Sequence, residues 1–214
     1  MRTPTVPLPS VPDRPMSAPP APAANRPGTS GTATNVAMTA ARRMIATSAM
    51  SDAIWVPLVS AILILAVGSL SLATRQPWLF AALGGTVVLL AANPGHPTTR
   101  FHAIVVGHLV ALASAWIAVL LMGAGETQSL LGGSGIGVAR VWASAFAIAI
   151  MAAVQPSLKA YHPPAAATVL LVTLGVHRLS WNSAIAMIGG VLVVAVLGEW
   201  FQRIRIKQQR KPAA

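Results

Sequence analysis

The chain has no cysteine and only four acidic residues, Asp13, Asp52, Glu126 and Glu199, among its 214 positions. Without cysteine there can be no disulfide, no thiolate nucleophile and no cysteine-based metal site. The shortage of acids excludes more. None of the four lies in the middle of an apolar stretch, so a carboxylate proton relay or a charged cation site at membrane depth has nothing to be built from. Catalytic carboxylate pairs and nucleophile–base–acid triads fail for the same reason, and an enzyme is not expected. Charge is scarce as a whole: 9% of residues carry it, against roughly 25% in soluble domains. A chain so poor in charge cannot cover a water-facing surface.

What is present is apolar surface and a basic excess, with 55% of residues apolar and a formal charge of +11. Lys and Arg flank the apolar runs and do not form a patch interleaved with aromatics. Attraction to anionic lipid and the positive-inside bias account for them, and nucleic acid is not an expected partner. Residues 1–34 hold nine of the seventeen prolines and almost no large apolar side chain, a composition expected to be disordered. That stretch lacks the shape of a signal peptide, although its Arg-bearing, acid-poor composition is shared with organelle transit peptides. Residues 36–52, around Arg42-Arg43, read either as a short interfacial helix or as a solvated basic flank. The expected organisation is a Pro-rich basic tail over residues 1–50, a membrane domain over 51–202 and a basic tail over 203–214.

Six apolar segments follow one another, over residues 54–73, 78–92, 101–122, 138–154, 165–176 and 183–200, the fourth on condition that Arg140 snorkels to an interface. They predict an all-α polytopic membrane bundle. The second, interrupted by Gly84-Gly85, and the fifth are short. About 15 residues at 1.5 Å each reach roughly 22 Å, against a hydrocarbon core of about 30 Å, so these two are expected to be broken, re-entrant or set in thinned bilayer. Six crossings put both tails on one side with Arg100 and Lys159, and leave Arg75, Arg140 and Arg178 on the other. An odd count would separate the two basic tails, against the positive-inside rule. The expected location is therefore a bacterial inner membrane with both termini cytoplasmic, an organelle membrane being the alternative. Broken spans in so small a chain call for burial, and a homo-oligomer is expected to supply it.

The second set of three segments echoes the first. A constant shift lays Thr86-Val87 on Thr168-Val169, Leu89 on Leu171, Gly84-Gly85 on Ala166-Ala167 and Gly107 on Gly189. Three segments per half would make the halves face opposite ways, the 3+3 inverted repeat of many transporters, in which short interrupted segments mark the binding site. Chance matching of apolar letters is the other reading.

The sharpest local feature is Tyr161-His162-Pro163-Pro164-Ala165-Ala166-Ala167-Thr168. Proline is at home in the first helical turn, so two prolines before small residues read as a helix start. Inside a membrane, free N–H groups from Ala165 to Thr168 would point a positive dipole end into low dielectric and bind an anion. The plainer alternative is a kinked loop whose prolines only end one helix and begin another. The matching region carries Asn93, His96 and Arg100, then His102 in the first turn of the third segment, with Thr98-Thr99 as candidate N-caps. His108 lies six residues beyond His102, on a nearly opposite helix face, which argues against a shared metal site. Either histidine can serve a ligand or bond a neighbouring helix. No metal and no cofactor is expected. Donors outnumber acceptors at membrane depth, which favours an anion.

From His162-Pro163-Pro164, the run Ala167-Thr168-Val169-Leu170-Leu171 after it and the earlier Gly107-His108-Leu109, the chain resembles the HPP family of integral membrane proteins over about residues 50–201. Residues 93–100 look like a divergent form of that family's Pro- and His-containing loop. Ala165 and Ala166 stand where the family usually has glycines. A chloroplast branch of the family is associated with nitrite transport. The resemblance implies a transporter or channel for a small anion, nitrite-like. The residues themselves suggest how: the His162–Thr168 helix start and the Asn93–His102 region are expected to face each other, with His162 and the helix-start amides holding the anion, His108 lining its path, and Arg100 and Lys159 attracting it. The rival is a non-transporting membrane scaffold or subunit that binds lipid or a protein partner.

Overall fold

A computed structural model describes the backbone of residues 30–133 and 135–209, with side chains from residue 52 onward. Of the residues 1–34 expected to be disordered, 1–29 lie outside the described residues, and 30–34 fall in the first helix. Six α-helices occupy the described chain: α1 (Ser30–Thr74), α2 (Ala81–Ala92), α3 (Phe101–Leu121), α4 (Val138–Ser157), α5 (Ala165–Thr173) and α6 (Trp181–Gln209). No strand occurs among the described residues. Four stretches are long and apolar enough to cross a membrane: Asp52–Thr74 of α1, and α3, α4 and α6. The other two helices are short, with 12 residues in α2 and 9 in α5. Residues 36–52, read as an interfacial helix or a solvated flank, are helical and fall within the bounds of α1, and α6 runs seven residues past the expected tail boundary at 202.

The helix ends follow local chemistry. Arg75 and Lys159 adopt left-handed backbone at φ 54° and 52°, which stops α1 and α4, and Gly175 at φ 75° does the same just after α5. Large apolar side chains such as Leu72, Ile117, Leu120, Trp142 and Ile185 stand exposed around the bundle. That reverses the pattern of a water-soluble protein and fits lipid as the outer solvent.

Lipid is as apolar as a leucine side chain, so close approach of small residues replaces the hydrophobic drive between helices. The buried face of α3 accordingly includes Gly107, Ala111, Ser114, Ala115 and Ala118 beside the larger Ile104, Leu112 and Val119, and that of α4 includes Ala143 and Ala147. Helix α2 lies against α6 where Gly190 leaves room for the Trp78 carbonyl and Gly198 for the Leu90 side chain. The two short helices also touch each other, and α5 packs on α3.

The connectors gather in two sets. At one end, the Thr98 carbonyl meets His162, Gln202 bonds Gly95 and Thr99, and Arg205 pairs with Asp52 while lying 5.2 Å over the Trp55 ring. The α2–α3 and α4–α5 connectors, the start of the first apolar stretch and the last turns of α6 thus share this end. At the other, Leu130 N–H donates to the Leu174 carbonyl and Ser129 to that of Gly175, joining the α3–α4 and α5–α6 connectors.

Arg140 belongs to this second set and corrects the expectation that it snorkels outward. It is 4% exposed, and its guanidinium donates to the carbonyls of Gln128 (2.7 Å), Thr173 (2.8 Å) and Thr127 (2.6 Å). The open C-terminal carbonyl of Thr173 in α5 and two carbonyls of the α3–α4 connector give the fork three acceptors within the protein. Gly175 is required beneath it, because a Cβ there would come within 2.6 Å of the guanidinium. Arg140→Met is expected to leave three carbonyls without their donor and to cost about 2–4 kcal/mol. Thermal unfolding in detergent measures this, and an unchanged midpoint would refute the clamp.

Candidate functional site: a buried histidine–threonine column

The two short helices, α3 and the α4–α5 connector bring four polar side chains into the apolar interior. His162, directly before the two prolines, is 0% exposed, Thr86 of α2 is 0%, His108 of α3 is 4% and Thr168 of α5 is 2%. Their contacts form one unbroken chain. His162 Nδ1 lies 2.8 Å from the Thr98 carbonyl, and its Nε2 lies 3.0 Å from Thr86 Oγ1. Thr86 Oγ1 lies 3.2 Å from His108 Nε2, and His108 Nδ1 lies 2.8 Å from Thr168 Oγ1. The two imidazole centroids stand 5.2 Å apart.

The seat of His162 is built by Gly107 and Gln155. The Gln155 side chain donates to the Gly107 carbonyl (3.1 Å) and accepts from the His162 backbone N–H (3.2 Å). Gly107 has no side chain because His162 Cβ and the Ala160 carbonyl occupy that space. The Gly107-His108 pair and the His162-Pro163-Pro164 motif, far apart in sequence, are therefore two halves of one contact. On the opposite side Phe80, 6% exposed, sets its ring edge-on to His108 and to His177, each at 6.2 Å. His177 lies in the α5–α6 connector, where burial holds its imidazole below the usual range and so neutral at neutral pH. Next to His108 the remaining space is an apolar cleft of about 10 Å³, the volume of at most one water. The column is closed in this structure.

The helix start at Ala165 forms as the prolines predict, but the free amides expected there are not free. Ala165, Ala166 and Ala167 N–H groups donate to the carbonyls of His162, Pro163 and Pro164. Pro164 already has helical backbone angles, so the preceding carbonyls point forward along the helix and take those protons. Ala165 is buried and Ala166 and Ala167 are half-buried, whereas Pro163 is exposed and Pro164 packs near Gly85. The small residues thus serve packing of α5.

The Asn93–His102 region divides. Only the Thr98 carbonyl reaches the column. Asn93 and His96 are exposed, the former accepting from Thr99 Oγ1 and the latter within 2.8 Å of Thr98 Oγ1. Arg100 and His102 turn away and line an open cavity of about 820 Å³ with Glu199, Gln202 and Arg203. Thr86 and Gln155 are the functional candidates that motif reading missed. Thr86 was marked only by its alignment with Thr168, and both prove to bond the same histidine. No group of three His, Cys, Asp or Glu side chains that could hold a metal occurs among the described residues.

No curated protein matches the chain, and no solved structure does. One family description, HPP, transmembrane region, matches residues 45–212, which takes in every helix that builds the column. The match covers well over half of the sequence, and the chain belongs to the HPP family of multi-pass integral membrane proteins.

Proposed function

We propose that the protein is a transporter or channel for a small inorganic anion, nitrite-like in size, whose path follows the His162–Thr86–His108–Thr168 column. The observation that carries this reading is a continuous polar chain buried in a membrane domain, with no carboxylate among its members. Intramembrane polar groups are costly and face pathways, and hydroxyl and imidazole donors suit an anion. Arg100 and Lys159 are exposed at the end from which Thr98 reaches His162, and would concentrate the anion there. Phe80 would be the constriction that separates the column from the opposite end, gating by dewetting.

Six alternating passes with both tails cytoplasmic, in a bacterial inner membrane, fit this scheme. An inverted repeat fits it too. The order long, short, long recurs along the chain, α2 packs on α6 as α5 packs on α3, and Thr86 and Thr168 stand at matching places.

Flux of nitrite, nitrate, formate and chloride into proteoliposomes tests the reading, which is refuted if none moves while the protein is folded. Phe80→Ala should raise the rate about tenfold by opening the apolar constriction. A rate at or below that of the unsubstituted protein would remove Phe80 from the path.

A further inference from the structure

We infer that the column passes its substrate as a monoprotic weak acid, anion and proton together, so that transport carries no net charge. The inference rests on the transport reading above and follows from the polarity of the hydrogen-bonded chain. A carbonyl only accepts, so His162 must donate from Nδ1 to Thr98. With the ring neutral, His162 Nε2 is an acceptor and takes the hydroxyl proton of Thr86. Thr86 has one proton to give, so His108 must donate from Nε2 to Thr86 Oγ1. His108 Nδ1 is then the acceptor for the Thr168 hydroxyl. The Ala82 carbonyl, 3.1 Å from Thr86 Oγ1, is a competing acceptor, but turning the proton there would set two lone pairs face to face at His162.

Each link therefore offers an incoming group one donor and one acceptor. A bare anion has only acceptor atoms and would face a lone pair on one side, away from water. The conjugate acid has an O–H and an oxygen acceptor, as a threonine hydroxyl has, and can replace a link without reversing the chain. Charge points the same way. From α2, α3, α5 and the two connectors, the titratable groups at the column are His108 and His162, with exposed His96 two residues before Thr98 and bonded to its side chain. From α4 the column meets Gln155, and Arg140 is committed to three carbonyls at the other end. Among the described residues the column's own bonds run to hydroxyls, imidazoles and carbonyls and to no lysine or arginine, so a buried anion would have no counter-charge there. The balance is simple: the anion takes a proton from water at the mouth, crosses as the neutral acid, and returns the proton to water on the far side.

The test uses full-length protein in liposomes holding a pH-sensitive dye, with potassium and valinomycin setting the membrane potential and protein-free liposomes giving the background of free-acid permeation. Formate or nitrite entry should acidify the interior by about one proton per anion and should keep its rate when the potential is reversed. Chloride and nitrate, whose acids are strong, should move at least about tenfold more slowly, the discrimination one unpaired buried contact supports. Thr86→Val, which keeps the shape and removes the central hydroxyl, should bring formate flux to background while unfolding stays cooperative. Flux that carries current, or chloride moving as fast as formate, overturns this inference and leaves the transport reading standing. Absence of movement by every probe overturns both.

Discussion

His162→Ala is expected to abolish measurable anion flux and to destabilise the membrane domain by about 3–5 kcal/mol, from the cavity left and the partners stranded. The ring is fully buried and holds the Thr98 carbonyl on one side and Thr86 on the other. Alanine leaves that carbonyl without a donor and the Thr86 hydroxyl with one acceptor fewer. Because the residue is structural as well as functional, flux alone is an incomplete test. A double-mutant cycle with Thr86→Val separates the parts: if the two side chains act through their contact, the double variant should be less destabilised than the sum of the singles by about 0.5–3 kcal/mol. Strict additivity, or normal flux through folded His162→Ala protein, would remove His162 from the site.

The fold was largely legible because lipid imposes a coarse grammar: uninterrupted apolar runs must be helical, and Pro, Gly and charge mark where they stop. All six runs contain an α-helix, and the two short ones were visible from Gly84-Gly85 and from Pro163-Pro164. What escaped was where polar side chains point. Arg140 looked like an interface residue because nothing local announces that the carbonyls of residues 127, 128 and 173 converge on it. Arg100 and His102 looked like partners of His162 because they belong to the Pro- and His-containing region that matches its own, yet both line a different cavity. The amides after Pro164 looked open because a turn that satisfies them leaves no mark in the letters. Thr86 sits in a run of apolar residues and differs from a packing threonine only by its alignment with Thr168.

Two glycine substitutions of identical chemistry should give opposite results, and the contrast tests the contact that joins the two motifs. At Gly107 a Cβ would lie 2.7 Å from His162 Cβ, 3.1 Å from the Ala160 carbonyl and 3.4 Å from Gln155 Nε2. The first two are backbone or anchored to it, so the connector carrying His162 must move as a unit. A displacement of about an ångström is enough to break the 2.8 Å contact with Thr98 and the 3.1 Å bond from Gln155. Gly107→Ala is expected to cost about 1–3 kcal/mol as overpacking, and Gly107→Val more, with flux falling as in His162→Ala although the histidine is still there. At Gly84 a Cβ would meet nothing within 4 Å, so Gly84→Ala should be neutral or stabilising by up to about 1 kcal/mol through lower unfolded-chain entropy. Chemical unfolding in one detergent compares the pair. Equal stability at both positions would mean that the approach of His162 to α3 is looser than these distances require, and the column would lose the packing that aligns it.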